Sequence, residues 1–185
     1  MKKIKKWKLL AEEDVSPSPW FPVYKHKVQL PDGKVVDDYY VSRLEDVAMI
    51  VAVTKEKEIA FVKQYKHGIR RVMLELPAGR VKKGDTPLKT AKRELAEETG
   101  IAVKSIVSLG EIVPVPSKED TLVHGFLVKD VEINSKQSLD ETENIQVEFY
   151  SFKKTLRYIR SGKINGTDTI AILTLAQLKH PNLFK

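Results

Sequence analysis

The chain has 185 residues, with 32 Lys and Arg against 25 Asp and Glu for a formal charge of +7, 42% apolar residues and no cysteine. That length suffices for one full core with an extension, and the missing cysteines exclude disulfides and thiolate metal sites. No apolar run approaches the roughly 20 residues of a membrane-spanning helix, so a soluble, cytoplasmic protein that uses no membrane is expected.

Taken in chain order, residues 1–10 are basic, and 7–11 form too short an apolar run for a signal peptide. Residues 27–30, a Pro31-Asp32-Gly33 turn and residues 35–42 read as a hairpin ahead of the core. Residues 47–54 and 59–64, on either side of Lys55-Glu56-Lys57, read as a second. A helix follows at 87–99 with its boundaries written in its residues: Asp85 or Thr86 to cap it, Pro87 at its first position and Gly100 as a left-handed stop. At roughly 100° per residue, Leu88, Ala91 and Leu95 fall in one apolar stripe, and Glu94, Glu97 and Glu98 crowd a neighbouring face. Strands are expected near 103–115, 122–131 and 145–152, each rich in β-branched or aromatic residues. Two helices close the chain, one near 153–160 and one from 167 or 168 to 179. In the last, Ile170, Ile172, Leu173, Leu175, Ala176 and Leu178 exceed one narrow stripe and predict a well-buried helix.

The three glutamates carry the chemistry. Acids at spacings of three and four repel by a few tenths of a kcal/mol per pair, and Arg93, at i,i+4 from Glu97, offsets part of this. A hard cation such as Mg²⁺ or Mn²⁺, which takes carboxylate oxygens, would offset more. A solvated acidic helix face is the alternative.

The segment from Gly79 to Ile101 resembles the Nudix box: a glycine, five residues, an acid, seven residues, then Arg-Glu-apolar-x-Glu-Glu-x-Gly-apolar. Gly79, Arg93, Glu94, Leu95, Glu97, Glu98, Gly100 and Ile101 fall in register, while Asp85 stands where the family usually has Glu. The resemblance implies an α/β (α+β) fold, an α/β/α sandwich with a mixed sheet. It also implies an N-terminal antiparallel β extension, residues 1–45, ahead of a hydrolase domain at 46–185. It implies hydrolysis of a nucleoside diphosphate linked to another group, with Glu94 and Glu98 as metal ligands, Glu97 as ligand or support, the Ala78 carbonyl as a further ligand and Arg93 orienting the acids. The implied cofactor is Mg²⁺ or Mn²⁺.

The likeness extends past the box. Gln64-Tyr65-Lys66-His67 and Glu75-Leu76-Pro77-Ala78-Gly79 are similar to the approach in the ADP-ribose pyrophosphatase branch, where a basic residue at the place of Lys66 contacts substrate phosphate and where Glu75 and Pro116 fall among substrate-binding positions. The loop at 140–147 resembles that branch's mobile loop, with Glu141 as the residue that orients water and Glu143 second; ordinary solvated turn acids are the alternative. Ser117-Lys118-Glu119-Asp120-Thr121 departs from the branch, so ADP-ribose leads while GDP-mannose, UDP-sugars, triphosphates, dinucleoside polyphosphates and a silent nucleotide-binding module stay open. The extension implies a homodimer. Trp20 and Phe21 are candidates for stacking a base, or form a hydrophobic anchor, and Arg70 could reach a diphosphate or is a surface charge. The lysines are dispersed and no nucleic-acid-binding signature is present, so no nucleic-acid partner is expected.

Overall fold

The structure, a computed structural model, describes residues 3–184, so Met1 and Lys2 of the basic start lie outside the described residues. Its elements are β1 Lys8–Asp14, β2 Val23–Gln29, β3 Val35–Ser42, β4 Val47–Thr54, β5 Glu58–Lys66, β6 Arg71–Glu75, β7 Ala78–Arg80, α1 Pro87–Thr99, β8 Val107–Ile112, β9 Val123–Val131, β10 Gln146–Ser151, α2 Phe152–Arg160 and α3 Thr167–Lys179, with a 3-10 turn at Pro181–Phe184. They divide into two compact units, residues 1–45 with 113–121, and residues 46–112 with 122–185.

The first unit is an antiparallel sheet in the order β1-β2-β3. β1 was not expected: every residue of Lys-Leu-Leu-Ala-Glu-Glu-Asp is exposed, so no buried face imposes the alternation that marks a strand. Backbone pairing with β2 defines it instead. Arg43 donates to Glu12 at 2.9 Å and lies 4.3 Å over the Tyr24 ring. Residues 113–121 join this unit through a parallel bridge from Glu119 to Ser42 and the Tyr39 hydroxyl, which donates to the Ser117 carbonyl at 2.5 Å.

The second unit is an α/β/α sandwich about a seven-stranded mixed sheet, with the path β10-β5-β4-β9-β8. β4 and β9 run parallel; their neighbours are antiparallel. β4 is buried on both faces, as central strands are. Its Met49, Val51 and Val53 face α3 with Phe61, Leu127, Ile172 and Leu173. Its Ala48, Ile50 and Ala52 face α1 with Ala91, Leu95 and Phe126. Each fully buried Leu or Ile here contributes roughly 1.5–3 kcal/mol.

β4 and β5 pair only at Val53 and Ile59 and then diverge. β6 pairs with the far end of β5, and β7 with the first residues of β4. This splay opens the gap in which the candidate site lies. β6 and β7 are too short to stand out by pattern and were not expected.

Two helix faces differ from the sequence expectation. Leu88 is 44% exposed, and the buried stripe of α1 is Thr90, Ala91, Glu94, Leu95 and Glu98. α3 buries Thr169, Ile172, Leu173 and Ala176, a single stripe at three- and four-residue spacing, and leaves Leu178 73% exposed. Strand β10 stops at Ser151, whose hydroxyl accepts from the Lys154 N–H to start α2 one residue early.

Gly100 ends α1 at φ 73°, and a Cβ there would lie 2.2 Å from the Ser135 carbonyl oxygen. Backbone cannot swing aside as a side chain does. Gly100→Ala is expected to cost about 2–4 kcal/mol, combining roughly 1–2 kcal/mol of left-handed strain with displacement of the following loop. Urea unfolding of the two proteins measures it, and a loss under 1 kcal/mol would contradict it.

Candidate active site

α1 presents the acids because its ends are well defined. The Thr86 hydroxyl accepts from the Lys89 N–H at 3.2 Å, Pro87 occupies the first turn, and the Gly100 N–H donates back to Ala96. Thr86, not Asp85, is the cap; Asp85 pairs with Lys89 at 2.6 Å, and that hydrogen bond holds its carboxyl below the usual range.

Glu94 and Glu98 do not stand on a face beside the packed one. They lie in the buried stripe itself, against β7. Room for Glu94 comes from Gly79: a Cβ at that position would fall 2.0 Å from the Glu94 Cδ and 2.1 Å from its Oε1. Glu98 accepts the Ala78 N–H at 3.0 Å. Arg93 bridges Glu94 at 2.8 Å and Glu97 at 2.8 Å, orienting two of the three acids.

Burial sets the electrostatics. Desolvation pushes Glu98 up to about 8, aided by the charges of Glu94 and Glu143 and opposed by the Ala78 N–H and Lys66. Glu94 is likewise raised, first by burial, then by Glu97 and Glu143, against the Arg93 cation. The loop carboxylate whose field reaches both is therefore Glu143. Its Oε2 accepts from the Asp140 N–H at 3.0 Å, whereas Glu141 is exposed at the turn.

A cavity of about 230 Å³ opens in the sheet splay, lined by Gln64, Lys66, Glu75, Ala78, Gly79, Arg80 and Asp168 among others. Lys66 and Glu75 pair at 3.3 Å. The structure thus brings together Lys66, Glu75, Ala78, Arg93, Glu94, Glu97 and Glu98. Arg70 is exposed in the β5–β6 turn with φ 54° and does not line this cavity. Trp20, Phe21 and Pro116 belong to the first compact unit: Trp20 is 82% exposed, Phe21 pairs with Ser18, and Pro116 sits in a turn closed by Lys118 and Val115. Arg80 and Asp168 were not among the expected site residues. Arg80 follows the box glycine directly, a signal available in the sequence; Asp168, more than eighty residues further on, carries none.

Among the described residues no three His, Asp or Glu side chains converge as a preformed metal cluster, because Arg93 and the Ala78 N–H already engage the acids. The donor chemistry still fits a hard divalent cation: the side-chain donors are carboxylates, and two of the three, Glu94 and Glu98, are buried groups whose charge the protein interior resists. The contact seen at Ala78 is through its N–H. Among the described residues no helix is long and apolar enough to cross a membrane.

The NUDIX domain matches residues 43–166, and the nucleoside diphosphate sugar hydrolase N-terminal domain matches residues 7–42. The ADP-ribose pyrophosphatase of Bacillus subtilis (strain 168) is 32% identical over 173 residues, covering 93% of each chain. The methanol dehydrogenase activator of Bacillus methanolicus is 30% identical over 153 residues, covering 82% of each. A crystal structure of an ADP compounds hydrolase superposes with a TM-score of 0.86 at 20% identity over 98% of each chain, a likeness of fold.

Proposed function

Because the chain belongs to the Nudix hydrolase family, we propose that it cleaves the pyrophosphate bond of a nucleoside diphosphate sugar, with ADP-ribose, giving AMP and ribose 5-phosphate, as the leading substrate. The observation that carries this reading is the buried pair Glu94 and Glu98 set against Gly79 and Ala78 at the wall of a cavity that also holds Lys66 and Arg80.

Glu94 and Glu98 would hold a divalent cation, Mg²⁺ in the first instance or Mn²⁺, with Glu97 and the Ala78 carbonyl in support. Such an ion, when bound, supplies charge neutralisation on the diphosphate and lowers the pKa of water. Arg93 keeps the acids oriented. Lys66 meets the diphosphate, and Arg80 is placed to do so as well, since cations aimed at developing phosphate charge stabilise the transition state. Glu143, whose charge reaches Glu94 and Glu98, orients the attacking water; Glu141, first in the sequence reading, is second here. Residues 1–45 form the dimerisation element of a homodimer, and Trp20 and Phe21 serve the base.

A panel of ADP-ribose, GDP-mannose, UDP-glucose, dinucleoside polyphosphates and nucleoside triphosphates, with Mg²⁺ and again with EDTA, tests the reading. ADP-ribose is expected to turn over fastest and EDTA to abolish turnover. Preference for triphosphates would overturn the substrate class, and tight binding with no turnover would mark a silent module. On the best substrate, Glu143→Gln is expected to lower kcat about a hundredfold, within the range for a lost proton acceptor, and Glu141→Gln less than threefold. The reverse order would return the role to Glu141.

A further inference from the structure

The end of α1 and the loop after β9 are joined by a dense set of hydrogen bonds. The Asn134 and Ser135 N–H groups donate to the Gly100 carbonyl at 3.0 and 3.1 Å, and the Ser138 N–H donates to the Glu97 carbonyl at 2.9 Å. The Asn134 side chain exchanges two bonds with the backbone of Ala102, at 3.1 and 3.3 Å. Carbonyls in the last helical turn have no partner within the helix. That of Glu98 is taken by the side-chain amide of Gln137, at 2.5 Å. The same Gln137 nitrogen reaches the Ile145 carbonyl at 3.3 Å.

This amide therefore spans three places: the backbone of Glu98, the entry of the loop, and its exit two residues after Glu143. Ile145 is buried, whereas the residues between are mostly exposed. The Glu143 N–H donates to the Asp140 carbonyl at 2.9 Å, and its carboxylate accepts from the Asp140 N–H at 3.0 Å, so Glu143 is tied into the turn by both backbone and side chain. Its position relative to α1 is set by what holds the two loop ends. An NH₂ group has two donors, matching two carbonyls, which is what a carboxylate or thioether in its place lacks.

We propose that Gln137 is a positioning residue for hydrolysis, fixing the Glu143 turn against the catalytic helix through one amide that bonds the Glu98 and Ile145 carbonyls; this rests on Glu143 orienting the water. Gln137 acts through the Glu143 turn and not on the reacting atoms. Its contribution is to hold a carboxylate within the small tolerance that productive geometry allows.

The test uses the full chain with Gln137→Met, which keeps the length of the side chain and removes both donors, beside Glu143→Gln and the double variant. Gln137→Met is expected to lower kcat about 30-fold with KM changed less than threefold, since displacement by about an ångström costs up to a hundredfold. In the Glu143→Gln background it should cost less than twofold. Hydrogen exchange in the metal-free protein should show the 138–144 amides roughly tenfold faster, with the α1 amides unchanged. Wild-type kcat in Gln137→Met while Glu143→Gln is impaired overturns this proposal alone, as does an equal loss in both backgrounds. Full turnover by Glu143→Gln overturns the Glu143 reading and this proposal with it.

Discussion

Glu98→Gln is expected to lower turnover about a thousandfold, on the order of 4 kcal/mol of barrier, while making the metal-free protein more stable at pH 8. The two effects share one cause. Glu98 is almost fully buried, and that burial lifts its carboxyl from an ordinary 4.5 to about 8. Below pH 4.5 the folded and unfolded chains both carry the proton. Between 4.5 and about 8 the folded chain keeps a proton that the unfolded chain has released, so stability falls as pH rises, by at most about 1.4 kcal/mol per pH unit, and the loss is complete near pH 8. Glutamine is neutral throughout and keeps an oxygen for the Ala78 N–H. The variant's advantage should therefore grow from pH 5 to pH 8. Thermal melts in EDTA at pH 5, 6.5 and 8 measure it, and a gap independent of pH, or retained turnover, would refute the account. A cation bound to the folded form alone should restore the wild type's stability at pH 8 and leave the variant nearly unmoved.

Gly79→Ala should reduce kcat about a hundredfold and leave the melting temperature within a few degrees. The new Cβ would fall 2.0 Å from Glu94 Cδ and 2.5 Å from its Cγ, so a contact must give. Those atoms are the far end of a flexible side chain, so the carboxylate turns away and the backbone stays. At Gly100 the atom met is a backbone oxygen, and there the fold yields instead. The pair of variants should cross, with Gly79→Ala losing activity at native stability and Gly100→Ala losing stability. Turnover on the best substrate and urea unfolding of both proteins decide the matter, and wild-type kcat in Gly79→Ala would dissociate the Glu94 carboxylate from catalysis.

Much of this was legible residue by residue. Pro87, a capping hydroxyl and Gly100 bounded α1, and the apolar run at 47–54 read as a strand, because caps and composition are local properties, while its central place in the sheet emerged only in the fold. β1 escaped because an exposed strand has no face to pattern. The extra apolar positions of α3 misled because Leu178 lies off the stripe that meets the sheet. The bond from the Asp140 N–H to the Glu143 carboxylate and the field of Glu143 at Glu98 exist only once the turn is folded.

By itself, then, the order of residues determined the family, the helix that carries three acids and an arginine, and the class of bond attacked, since each rests on short spacings within one segment. Only the tertiary structure decided that Glu94 and Glu98 sit in the packed face beside Gly79, that Lys66, Arg80 and Asp168 share one cavity, and that Gln137 ties Glu98 to the Glu143 loop. Those are contacts between segments far apart in the chain. Burial and the electric field of neighbours, which set how the acids ionise, exist only after the segments meet.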